Sequence, residues 1–434
     1  MSTTFVSSGV TSSGLTESGT GNILEVLNGG SAVSTTVVGG GLLRVDSGGS
    51  ATSAVISSGG SALVLSGGAI SATTVLANGV ATVISGGTAT STTVMTDGIL
   101  QLGSQALSGQ SASAGGSATG TIDSGWEAIN SGGVDRGAMV LSGGGQGVFA
   151  GGLSISATVS GFSASEGYAV VVVSGGVASA TTVGSGGLLD IEAGGTVVGE
   201  IILAGGQVNV GSGAAFTVSS GETLHDVFVK SGGVETIASG GVETAVGSNS
   251  YNGANGTVNV LAGGTLDHMA VEGGGVLNVA GTTTSNVFVG SGSVENVLSG
   301  GSVSGSVNAG TNVQGTLNLA AGATGAFISV NGGGVLNLAG TTTNNVFVDS
   351  GSFATVSSGA AMNGSSGGGN GVAGTLNVLA GGSVVWLDVD SGGKVNLAGT
   401  MGHNQLILSG GVENVLSGGL ITGAVSSGTG VFAG

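Results

Sequence analysis

The 434-residue chain contains no cysteine and no proline. Without cysteine there is no disulfide framework and no thiolate metal site. Basic residues are nearly missing: Arg44, Arg136, Lys230 and Lys394 stand against 22 acidic ones, for a net charge of −18. Nucleic-acid binding is excluded, because nothing neutralises phosphates, and so is docking to an anionic membrane surface. The acidity instead keeps a β-rich chain soluble. Aromatics are 3% of the residues, so any core is thin and made of Val, Leu, Ile and Ala. No apolar run approaches the roughly 20 residues needed to cross a bilayer; Val170 to Val173 is the densest patch, and no membrane insertion by this chain is expected. The segment Met1-Ser2-Thr3-Thr4-Phe5-Val6 has neither a basic n-region nor an apolar h-region, so no secretory signal is visible.

What the chain has in abundance is glycine, 97 residues of it, together with a 40% hydrophobic fraction that supplies material for a core. The glycines keep a beat. Gly29-Gly30, Gly48-Gly49, Gly67-Gly68 and Gly86-Gly87 recur at one fixed interval, and Gly40-Gly41, Gly59-Gly60, Asn78-Gly79 and Asp97-Gly98 interleave at the same interval. Each period holds short β-prone segments closed by turn signals, the mark of a solenoid.

Comparison of successive periods sets the register. The site of Val37 holds Ile56, Val75 and Val94; that of Val45 holds Val64, Val83 and Leu102; that of Leu43 holds Ala62, Ala81 and Leu100; that of Ala32 holds Ala51, Ile70 and Ala89. These face inward, while Arg44, Leu63, Thr82 and Gln101 vary as an outward column would. The expected fold is all-β: a right-handed parallel β-helix, or β-solenoid, of about 19 residues per coil, roughly 23 coils and on the order of 110 Å long. The style changes near residue 220. Residues 1–220 form the first part, with irregular insertions near 103–126 and 161–168. Residues 221–434 continue the solenoid with a 59-residue, three-coil super-repeat, seen in Gly256-Thr257-Val258-Asn259-Val260, Gly315-Thr316-Leu317-Asn318-Leu319 and Gly374-Thr375-Leu376-Asn377-Val378. Asn259, Asn318 and Asn377 recur only every third coil, too far apart for a continuous ladder, and read as local hydrogen-bonding residues. The repeat style runs to Val431-Phe432-Ala433-Gly434 with no charged or helical cap. The expectation is that the natural chain continues or that rods stack end to end.

The string Gly-Gly-Ser-Ala-x-Ser-Thr-Thr-Val-x-x-Gly-Gly-x-Leu-x-Val from Gly29 to Val45, with its echoes at Gly67 to Val75 and Gly175 to Val183, resembles a bacterial repeat. It is similar to the strand-loop-strand repeats in passenger domains of self-associating, heptose-bearing autotransporter adhesins of the diffuse-adherence type. The resemblance implies an extracellular or cell-surface location and a role in adhesion, autoaggregation or biofilm contacts. It also implies self-association and contact with host or neighbouring-cell surfaces as the partnerships. Serines and threonines on one side would carry heptose; by position these are Ser34, Thr35, Ser53, Thr73, Ser91, Thr92 and Thr181. The chain departs from the family in showing no C-terminal pattern of lipid-facing barrel strands.

Candidate chemistry is sparse. Asp190/Glu192 and Asp388/Asp390 are i,i+2 acidic pairs of the kind polysaccharide-cleaving β-helices use with calcium or as acid and base; a solvated acidic face is the plainer account. Trp126, Trp386, Tyr168 and Tyr251 are scattered, and His225, His268 and His403 lack metal-ligand spacing. The calcium-roll nonapeptide is absent, and no nucleophile triad or phosphate loop can be built. The Thr-Thr pairs at Thr35, Thr73 and Thr92 suggest a flat ice-binding array, which Val55 breaks. The reading is a non-enzymatic surface protein with no cofactor and no metal, working through its lateral faces. The alternatives are a filament-forming extracellular matrix protein assembled end to end and a polysaccharide-active β-helix.

Overall fold

A computed structural model describes residues 2–103, 115–163, 167–245, 252–305, 310–364, 369–422 and 430–431. Every regular element among them is a strand, with no helix. Nearly all pairings are parallel and join one coil to the next, as a β-solenoid requires. The chain divides into two compact units, Met1–Ala214 and Ala215–Gly434.

In the first unit each coil contributes strands to three parallel sheets. One coil runs through Leu42–Val45, Ser50–Thr52 and Val55–Ile56, and the next repeats it as Ser61–Val64, Ala69–Ser71 and Thr74–Val75. The register holds from coil to coil: Leu43 lies beside Ala62, Ala32 beside Ala51 and Val37 beside Ile56. The four inward columns expected from sequence are all buried, at 0–2% exposure from Ala32 to Leu102. One excursion among the described residues interrupts the beat. Thr88–Thr90 pairs directly with Ser117–Thr119, and Ile99–Leu102 with Trp126–Ile129, so residues 117–129 follow the regular path; residues 104–114 lie outside the described set. Near 161–168, Phe162 and Ser163 pair antiparallel with Tyr168 and Gly167, a small hairpin thrown out before Val170–Val173 rejoins the stack against Gly145–Val148.

The second unit keeps three sides but varies coil length. Its principal sheet has eleven strands, from Ala215–Val218 to Val412–Val415. Thr257 pairs with Val276, Val276 with Val294 and Val294 with Thr316, so the three successive coils differ in length. The same unequal steps recur from Thr316 through Val335 and Phe353 to Thr375. The super-repeat is therefore three coils of unequal length. The terminal residues Phe432, Ala433 and Gly434, like Tyr251, fall outside the described set.

The Gly-Gly beat has two separate causes. At the first position the backbone is left-handed: φ is +76° at Gly48 and +76° at Gly59, a region asparagine and aspartate also tolerate, and Asn78 (+58°) and Asp97 (+60°) occupy it in later coils. At the second position the constraint is space. A Cβ on Gly60 would lie 2.2 Å from the Val37 carbonyl oxygen, and one on Gly79 2.4 Å from that of Ile56, so in these coils a side chain would push neighbouring backbones apart. We expect Gly60→Ala to lower stability by more than about 2 kcal/mol, since backbone cannot yield as a side chain can. Gly59→Asn, whose nearest obstacle is 3.7 Å away, should cost less than about 1 kcal/mol. Urea unfolding of the two variants followed by circular dichroism checks the contrast; equal losses would refute it.

Candidate functional site

The outward face of the eleven-stranded sheet is the most regular surface of the second unit. Alternation along each strand sends its second and fourth residues inward and leaves the first and third outside. The third-residue column reads Thr217, Thr236, Asn259, Asn278, Asn296, Asn318, Asn337, Thr355, Asn377, Asn396 and Asn414. The asparagines form ladders, contrary to the sequence expectation for Asn259, Asn318 and Asn377. Asn278 Nδ2 donates to Asn259 Oδ1 at 2.9 Å, Asn296 to Asn278 at 3.0 Å, Asn318 to Asn296 at 2.9 Å and Asn337 to Asn318 at 2.9 Å. Thr355 breaks the run, and Asn377, Asn396 and Asn414 resume it at 2.8 and 2.9 Å. The intermediate asparagines escaped notice because the coils differ in length, so any fixed repeat frame misaligns them.

Apolar columns flank the amides. Leu261, Leu298, Leu379 and Leu416, just past their strands, are 43–49% exposed, and Phe353 and Val412 on the other side are each 50% exposed. An open concavity of about 320 Å³ is lined by Asn278, Asn296, Asn318 and Asn337 together with Leu298. Across the three outward columns no residue is acidic and Lys394 is the single cation. Within the second unit, whose other sides carry Asp267 and Asp388, this face is set apart by neutrality.

The candidate acceptor residues divide by geometry. Ser34, Ser53 and Ser91 are exposed and sit at one corner of the coil, with φ of +52°, +55° and +51°, Ala72 holding that corner in the coil between the last two. Ser156, which the sequence reading missed, occupies the same corner at +55° and is exposed too. Thr35, Thr73, Thr92 and Thr181 follow that corner but point inward. They are at most 1% exposed, and their hydroxyls have no hydrogen-bond partner among the described residues. The folded coil withholds these four from solvent, so of the seven candidates only the serines present a hydroxyl. The outward threonine column fares no better as a flat array: Thr36, Val55, Thr74, Thr93, Ile122 and Met139 lie in register, and its apolar members break it repeatedly.

The remaining candidates are dispersed. Asp190 and Glu192 are half-buried. The Asp388 carboxyl is raised above its usual range by burial and by the charge of Asp390. Trp386 and His403 are not isolated as expected: their rings stack at 5.6 Å and 9°. His268 Nδ1 lies 2.9 Å from Asp267 Oδ2, and His225 Nδ1 lies 3.3 Å from the Thr244 carbonyl. Among the described residues no group of three or more His, Asp or Glu is placed to hold a metal ion.

The interior holds what the sequence reading overlooked: ionisable groups in the aliphatic core. In the first unit Asp123 and Glu127 are 0% exposed and Asp135 is 1% exposed. Burial pushes Asp123 up to about 8, against the Gly125 and Glu127 backbone groups that favour its charge. In the second unit Glu235, Glu243 and Glu295 are fully buried, and no donor among the described residues reaches their oxygens. Glu235 and Glu243 can hydrogen-bond only to each other, which requires that they share a proton. Burial lifts Glu235 to about 7, and lifts Glu243 well above the carboxylate range with help from the Glu235 charge. Glu295 is raised to about 8 by burial alone. The signal was available: Gly233-Val234-Glu235-Thr236-Ile237 aligns with Gly275-Val276-Leu277-Asn278-Val279, placing Glu in an inward column.

These shifts fix the sign of a pH dependence. The folded chain keeps protons that the unfolded chain, with carboxyls near 4, releases, so stability is greatest below about pH 4 and falls as pH rises toward 8. One such group contributes up to about 1.4 kcal/mol per pH unit within that window. We expect the urea midpoint to drop between about pH 5 and 8, and Glu295→Gln to flatten part of the slope. A midpoint that rises with pH over this range would contradict the protonated core.

No protein-family model matches the sequence, and no curated protein matches it. Among solved structures, the chain is similar to a crystal structure of a hyper-glycosylated TibA fragment whose glycosylation is catalysed by TibC. The identity is 22%, the match covers 98% of this chain and 99% of that one, and the TM-score is 0.26.

Proposed function

We propose that the chain is a non-enzymatic extracellular or cell-surface repeat protein that works in adhesion and self-association through its lateral faces. The observation that carries this reading is the neutral face of the eleven-stranded sheet, with amide ladders bordered by exposed Leu261, Leu298, Leu379 and Leu416. Two copies of so acidic a chain repel least across surfaces that carry no acidic residue. Apolar area on such a face contributes about 25 cal/mol per Å² when covered, and repetition along the sheet turns weak contacts into avidity. Leu298→Asp combined with Leu379→Asp changes outward residues only, so the circular dichroism of the fold should be preserved. Self-association measured by analytical ultracentrifugation, and aggregation of cells displaying the chain, should fall at least tenfold. Unchanged association of the double variant would sink the proposal, and end-to-end fibres in electron micrographs would favour the filament reading.

A second reading attaches to the exposed corner serines of the first unit. We propose Ser34, Ser53, Ser91 and Ser156 as O-glycosylation acceptors, because each offers a solvent-facing hydroxyl at a repeated corner. Intact-mass spectrometry of protein from its native host should show hexose- or heptose-sized additions, lost stepwise on Ser→Ala substitution at these four positions. Sugar mapped instead to Thr35 or Thr73 would mean that modification precedes folding.

A further inference from the structure

The polar cluster in the core of the first unit has an arrangement that stability does not ask for. Glu127 lies in register with Gln146, and Asp135 with Ser154. Both pairs are inward, and all four residues are at most 1% exposed. Together they make a square spanning two coils. It is closed on one side by Leu100 and Ala118 and on the other by Val171 and Ala178, all buried. Within the square, Gln146 Nε2 donates to Glu127 Oε2 at 2.8 Å and reaches Asp135 Oδ2 at 3.4 Å. Ser154 Oγ donates to Gln146 Oε1 at 2.7 Å. A hydroxyl therefore touches the carbonyl of a primary amide while two carboxyl groups hold the amide nitrogen, in a space sealed from water.

We propose that Ser154 and Gln146 join in an intramolecular ester, formed by the chain itself with loss of ammonia. The carbonyl carbon is one bond, about 1.2 Å, from the oxygen that Ser154 already contacts, so a small side-chain rotation brings Oγ onto it. Oγ attacks the Gln146 Cδ, and the hydroxyl proton passes to the ionised member of the Glu127–Asp135 pair. The C–N bond of the tetrahedral intermediate then breaks, and the nitrogen takes a proton from the neutral member as it leaves. One O–H and one C–N bond are lost, and one C–O and one N–H bond are made. The carboxyl pair ends with as many protons as it began, and nothing is oxidised or reduced. Burial favours proton retention by the pair, holding Glu127 well above the usual carboxylate range, with help from the charges of Asp135 and Asp123, and Asp135 above it. Ammonia that reaches water is protonated and does not return, and the apolar coils on either side protect the ester from hydrolysis. The buried pair Glu235/Glu243 provides a contrast: its register neighbours are Phe216, Val258, Leu224 and Leu266, with neither amide nor hydroxyl to react.

The test is the intact mass of the purified, unfolded full-length chain. The expected result is a mass lower than the sequence mass by one ammonia. Fragmentation of the tryptic peptide between Arg136 and Lys230 should lack backbone breaks from 146 to 154. Hydroxylamine treatment of the unfolded chain should convert Gln146 to a hydroxamate and free Ser154. Ser154→Ala and Glu127→Gln should each keep the full sequence mass. Wild-type chain with a folded circular-dichroism spectrum and the full mass would overturn the proposal, and so would an ammonia loss that persists in Ser154→Ala or maps to an asparagine succinimide. The wild-type measurement decides the matter even where a variant fails to fold.

Discussion

Everything in each unit depends on one constraint: a coil must present its backbone N–H and C=O groups in register with the coils before and after it. Ser61 N donates to Gly41 O at 3.0 Å, Val80 N to Gly60 O at 3.2 Å and Ile99 N to Gly79 O at 3.0 Å, and similar bonds recur along both units. Backbone pairing of this kind does not choose side chains; it chooses where side chains are forbidden. At Gly60 and Gly79 a Cβ would enter the carbonyl of the preceding coil, and no packing adjustment removes backbone from backbone. That is why the first glycine drifts to asparagine and aspartate in Asn78 and Asp97, whereas the second, where it is replaced at all within a unit, yields to small residues such as Ala214, Ser293, Ala323, Ser352 and Ala360.

The same constraint explains the columns. Once register is locked, a residue's nearest neighbours are its counterparts one coil away, about 4.8 Å off, and its properties are set by its column. An outward asparagine column becomes a hydrogen-bonded ladder, because each amide carries both a donor and an acceptor. Ladder formation leaves each amide with spare hydrogen-bonding capacity directed outward. An inward glutamate column has no such internal solution. Glu235, Glu295 and Glu413 recur in the super-repeat at the inward site that Leu277, Leu317 and Leu336 fill in other coils. The fold admits Glu235 and Glu295 there by keeping them protonated, at a cost that rises with pH.

How much of this could be read beforehand follows from those physics. The inward columns of Val37, Leu43, Val45 and Ala32 were legible because aliphatic residues at constant spacing leave a periodic trace, and the coil length followed from the glycines. The second unit was harder. Coils of unequal length keep their strands in register while the sequence frame slips, so Asn278, Asn296 and Asn337 were not seen as members of one column with Asn318. The buried carboxyls were hidden for another reason. In Val234-Glu235-Thr236-Ile237 the charge alternates with apolar residues, as it does on any half-exposed strand, and the hydrophobic Val234 is the one left outside, at 37% exposure. Only alignment against a neighbouring coil shows which parity faces in. The threonines after the corner misled in the opposite sense, since a hydroxyl beside an exposed serine reads as surface although the chain has already turned inward.

A solenoid tolerates such internal violations better than a globular core does, because stability is close to a sum over coils and their nearest-neighbour interfaces. A carboxyl pair in one coil weakens two interfaces and leaves distant ones untouched. Polar groups can therefore accumulate locally, provided apolar coils flank them, as Leu100 with Ala118 and Val171 with Ala178 flank the square of Glu127, Asp135, Gln146 and Ser154. What is unusual in that square is its composition. Two carboxyls, an amide and a hydroxyl in register satisfy some of each other's hydrogen bonds, yet an oxygen of Glu127 and one of Asp135 remain without a partner among the described residues. Replacing all four by aliphatic residues, as most of the interior already does, would remove that cost. Their presence is thus better accounted for by chemistry among the four than by packing.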